Sequence, residues 1–77
     1  MNMEEARRMI LGRELSVPYT IVTRGGITYP VLTHSNVFIS AAYPDTLIVA
    51  VPHRGIMLVG LASIDAIHHE HTAGGAS

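Results

Sequence analysis

The chain predicts a mainly β domain, a small five- to six-stranded barrel preceded by one N-terminal α-helix. Three observations carry that expectation. Residues 17–32, VPYTIVTRGGITYPVL, alternate apolar and polar positions on either side of a Gly-Gly pair, as two half-buried strands joined by a tight turn do. Four more short apolar runs follow, each bounded by turn residues. At 77 residues the chain is too short for two sheets of independent strands, so all of them must share one core.

The helix is expected over Met3–Leu15. Met3, Ala6, Ile10 (or Met9) and Leu11 fall on one stripe, while Glu4, Glu5, Arg7 and Arg8 lie largely off it. Asn2 suits the N-cap, and the two glutamates suit the positive end of the helix dipole. Gly12 weakens the last turn, and Pro18 holds Val17 extended. The first strand, Pro18–Thr23, sets Tyr19, Ile21 and Thr23 on one face and Thr20 and Val22 on the other. Arg24-Gly25-Gly26 makes the turn. The second strand, Ile27–Thr33, contains Pro30, which implies an edge, a bulge or a bend.

His34-Ser35-Asn36 reads as a turn, Val37–Ser40 as a short strand and Ala41–Asp45 as a loop. Thr46–Val51 is apolar almost throughout, which implies burial on both faces or pairing with a neighbouring subunit. Pro52–Gly55 is a hairpin turn, Ile56–Val59 another strand, Gly60–Ser63 a single turn, and Ile64–Ile67 the last strand. Residues 1–68 then form one domain, and 69–77 a flexible polar tail.

Composition narrows the function classes. The chain is 48% hydrophobic and 14% charged, with a mean hydropathy of +0.33. It has no cysteine for disulfides. A marginal core with this much apolar surface implies a homo-oligomer. No apolar run is long enough to span a membrane, and MNMEEARRM lacks the apolar region of a signal peptide, so a cytoplasmic location is expected. Net charge is −1, and all five basic residues are arginines. That excludes a general coat for double-stranded DNA, which needs many phosphate contacts.

The hairpin opening V-P-Y-T-I (Val17–Ile21), together with G-I-M-L-V-G-L-A-S-I-D-A-I (Gly55–Ile67), resembles the Sm-like family, an SH3-like barrel, with its bacterial Hfq-type branch and very short bacterial relatives nearest. The resemblance covers most of residues 3–68. It implies a ring of five to seven subunits, in which the penultimate strand of one pairs with the last strand of the next. Ile56, Met57, Leu58, Val59, Ile64 and Ile67 would then form the subunit interface. It also implies binding of single-stranded RNA, with Asn36 as the counterpart of the family's base-contacting Asn and His34 beside it. Arg54-Gly55 is similar to the family's Arg-Gly pair but precedes the penultimate strand. The glycine that bends the family's second strand has no counterpart, and Gly60–Ser63 offers no side chain suited to reading a base.

Other candidates come from the residues themselves. Arg24 and Arg54 each sit in a turn, where they either contact phosphate or solvate the tip. Tyr43, beside Pro44, is placed to stack a base or to cover the barrel end, and Phe38 is a second stacking residue. Tyr19 and Tyr29 read as core. His68-His69-Glu70-His71 is a polar tail rather than a closed metal site. No carboxylate pair, triad or phosphate-cradling loop is present, so no enzyme and no cofactor are expected. The alternative function is a protein-interaction or structural β-barrel module without a nucleic-acid ligand.

Overall fold

A computed structural model describes residues 1–69. One helix, α1 (Met3–Leu11), precedes six strands: β1 (Tyr19–Thr23), β2 (Thr28–Val31), β3 (Val37–Ile39), β4 (Thr46–Val51), β5 (Gly55–Gly60) and β6 (Ile64–His69). The strands form two antiparallel sheets of order β2-β1-β6 and β3-β4-β5. Short 3₁₀ turns, His34–Asn36 and Leu61–Ser63, carry the chain from one sheet to the other. Among the described residues no helix is long and apolar enough to cross a membrane.

The start of α1 follows the sequence. The Glu5 backbone N–H donates to Asn2 Oδ1 at 2.7 Å, satisfying one of the first-turn donors left over by helix geometry. The end comes earlier than Leu15. Gly12 is the C-cap, and Arg13 follows it with φ +53°. Arg13 N–H donates to Ile10 O at 3.2 Å and Glu14 N–H to Met9 O at 3.1 Å. This pair of bonds is the Schellman closure, which needs a left-handed residue after the cap. Leu15 therefore lies outside the helix, although it is buried in the core.

The core lies between the two sheets and under the helix. Tyr19, Ile21, Tyr29, Val31 and Ile64 come from one sheet, and Leu47, Val49, Val51 and Val59 from the other. Ala6 and Ile10 cover one end. Pro30 sits opposite Thr20 on β2, an edge of its sheet, where its missing N–H breaks no inner ladder. Strand β2 is shorter than the expected Ile27–Thr33, because Ile27 is used by the turn: its carbonyl accepts from Thr23 N–H at 2.9 Å. Strand β6 is longer, with His68 and His69 opposite Thr20 and Tyr19. Those two histidines belong to the sheet and not to a tail. The remainder of the tail and of the His-Glu-His cluster, from Glu70 onward, lies outside the described residues.

Strand β4 shows a period its sequence hides. Leu47, Val49 and Val51 are buried, whereas Thr46, Ile48 and Ala50 are half-buried on the outer face. Val59 and Ile64 also face the core, and Met57 and Ile67 pack against it from partly buried positions. The expected interface set therefore divides. Side chains of Val59 and Ile64 are enclosed within their own chain, so only their backbone is free to take part in a subunit contact. Ile56 and Leu58 point outward and are 67% and 70% exposed.

Candidate functional site

A groove of about 250 Å³ runs between the C-terminal end of α1 and β3, lined by Ile10, Leu11, Arg13, His34, Val37, Phe38 and Ile39. Its floor is apolar because Val37 and Ile39 turn inward while Phe38, on the opposite side of the strand, stays 60% exposed. Arg13 and His34 complete the lining. The Schellman closure positions Arg13: a left-handed φ at a residue with a Cβ costs about 1 kcal/mol or more, and the two closing bonds hold it there. An arginine at a position that favours glycine is a backbone outlier beside a groove, the kind of observation from which function is argued. A lining of apolar side chains with an arginine and a histidine among them suits a stacked ring bearing an anionic substituent.

His34 is the one member of the sequence-derived set that lines this groove. Asn36 belongs to the same 3₁₀ turn, but its Oδ1 accepts from Thr33 N–H at 3.1 Å. One of the two acceptor sites of that oxygen is thereby used by the turn itself. Arg54 donates from Nη1 to Thr28 O at 3.0 Å and lies 5.3 Å from the centre of the Tyr29 ring. It ties the β4–β5 turn to β2. Arg24 caps the first hairpin, its backbone N–H donating to Ser63 O at 2.9 Å, with an exposed side chain. Tyr43 lies elsewhere again, over a second hollow of about 250 Å³ with Thr46, Ile48 and Leu58. The five candidates thus occupy four separate places within one chain.

The six other residues of the groove lay outside the set derived for RNA, and Arg13 is the charged one among them. The signal for Arg13 is the Gly12-Arg13 pair at the end of an amphipathic stripe, which marks a helix stop and leaves the next side chain projecting beyond it. Among the described residues every fully buried side-chain nitrogen and oxygen has a hydrogen-bond partner. Among them, too, no three His, Cys, Asp or Glu side chains converge where they could hold a metal ion. Comparison with family models, with curated proteins and with solved structures returns no match.

Proposed function

We propose that this chain is an Sm-like protein: an SH3-like barrel that assembles edge to edge into a homo-oligomeric ring of five to seven copies and binds single-stranded RNA in the cytoplasm. One observation carries the reading. Strands β5 and β6, joined by Leu61–Ser63, form outer edges of two different sheets, each hydrogen-bonded to one neighbour among the described residues. Open edges call for a partner or a shield. The β5 edge of one copy and the β6 edge of the next are unlike surfaces, so their pairing is head-to-tail and closes into a ring when the rotation allows. The backbone of Ile56–Val59 and Ile64–Ile67 makes that contact, with Val59 and Ile64 supporting it from inside.

In a ring the groove is repeated once per copy. Phe38 then offers a stacking surface for a base, and Arg13 and His34 reach its phosphate. Repetition suits a repetitive single strand, because each further base binds at high effective concentration. The test is light scattering at micromolar concentration followed by titration with labelled oligo-U and oligo-A at low and high salt. The expected result is a mass of one ring of five to seven chains or a multiple of it, and binding that weakens with salt. Phe38→Ala should lose roughly tenfold in affinity, within the ~1–3 kcal/mol of a stacked base. A monomer overturns the ring, and a ring that ignores both oligomers overturns the RNA. The second reading is an interaction module without nucleic acid, favoured by the exposed apolar face of β3-β4-β5.

A further inference from the structure

From that face we infer that a second copy of this chain stacks on the outer side of β3-β4-β5, through a two-fold contact separate from edge pairing. Cross-strand pairing sets Phe38, Ile48 and Leu58 in one row and Ala50 and Ile56 in the next. Tyr43 closes the end and is 69% exposed. No charged residue lies within these three strands. Edge pairing runs in the plane of a sheet and leaves such a face in water, so the ring does not account for it.

Three features identify the occupant. The large exposed side chains present on the order of 500 Å² of apolar surface, the upper range for a monomer's largest patch. With Thr46, Ala50 and the strand ends, the face approaches the ~800 Å² each partner gives to a standard interface. The chemistry is self-complementary, as a two-fold contact demands. No charge on the three strands has to be buried unpaired when the face meets its own copy. Residues 70–77, EHTAGGAS, contain no large apolar side chain and cannot supply the complement.

Charge variants of the full chain test the contact. Leu58→Glu and Ile56→Glu lie on the exposed face, so both should keep the wild-type circular dichroism. By light scattering each should halve the wild-type mass, from paired rings to single rings or from dimer to monomer. Mixing Leu58→Glu with Leu58→Lys should restore the wild-type mass, because the face meets itself. If one variant misfolds, the Leu58 pair decides. A monomeric wild type overturns the inference, as does full mass in the folded variants. A fall from ring to single chains also overturns it, since the face would then belong to the ring contact.

Discussion

Arg13 and Tyr19 show what single residues contribute. Arg13 bears a left-handed backbone that asparagine adopts at lower cost and that glycine adopts freely. Arg13→Asn is expected to raise stability by about 0.5 kcal/mol, a few degrees in Tm for a domain of this size. It should weaken oligo-U binding at the same time. Thermal melts and anisotropy on one sample check both, and a loss of stability would remove the strain argument. Tyr19 is buried on β1, and burial pushes its hydroxyl above the ordinary value of 10.0. The folded state then holds this proton to higher pH than the unfolded state. Its contribution is complete below pH ~10 and is lost as pH rises through the folded value. Wild type should therefore lose Tm above pH ~10 more steeply than Tyr19→Phe, read by melts across the alkaline range.

At the scale of elements, Arg7 joins the helix to the β3–β4 loop. Its Nε and Nη2 donate to Pro44 O at 3.2 and 3.0 Å, and Nη2 also to Asp45 Oδ1 at 2.9 Å, while Nη1 bonds Glu4. Leu61 N–H donates to Asp45 O at 2.9 Å, so the same loop also holds the second 3₁₀ turn. Arg8 by contrast meets Glu14 at 3.8 Å on an exposed surface. Exposed pairs of that kind contribute ~0–1 kcal/mol. Arg7→Ala is expected to lower the urea midpoint, through loss of the charged hydrogen bonds that tie the helix to Pro44 and Asp45, and Arg8→Ala to leave it close to unchanged. Urea unfolding of the two variants compares them, and equal midpoints would remove Arg7's special role.

Legibility divides at this scale too. The Val17–Leu32 hairpin was readable because polar residues mark its outer face, and its two strands pair with Ile21 opposite Tyr29. In β4 and β5 both faces are apolar, so alternation leaves no trace and the inward side cannot be told from the outward one. That is why the inward side chains of Val59 and Ile64 could not be told from the outward ones of Ile56 and Leu58. Gly12-Arg13 carried the signal of a helix stop, but the groove that Arg13 borders also needs β3 packed beside the helix, which no local pattern shows. His34 and Phe38 were singled out for their chemistry alone, and only folding brings them to one groove.

For the whole molecule, the decisive contrast is between neighbours on one strand. Leu58 and Val59 are adjacent apolar residues in β5, yet one is 70% exposed and the other 3%. A carboxylate at Val59 has to enter a core with no cation in it, a cost of several kcal/mol that approaches the entire stability of a small domain. Val59→Asp, and Ile64→Asp for the same reason, should unfold the chain at any concentration, with loss of the β-sheet dichroism. At Leu58 a carboxylate stays in water, so Leu58→Glu should fold and change only association. If self-association through the face contributes to stability, dilution lowers the wild-type Tm by mass action more than that of Leu58→Glu. Melts over a hundredfold range of concentration read that difference. A wild-type Tm independent of concentration would mean that the small core is sufficient alone, and that the apolar face adds nothing to the fold.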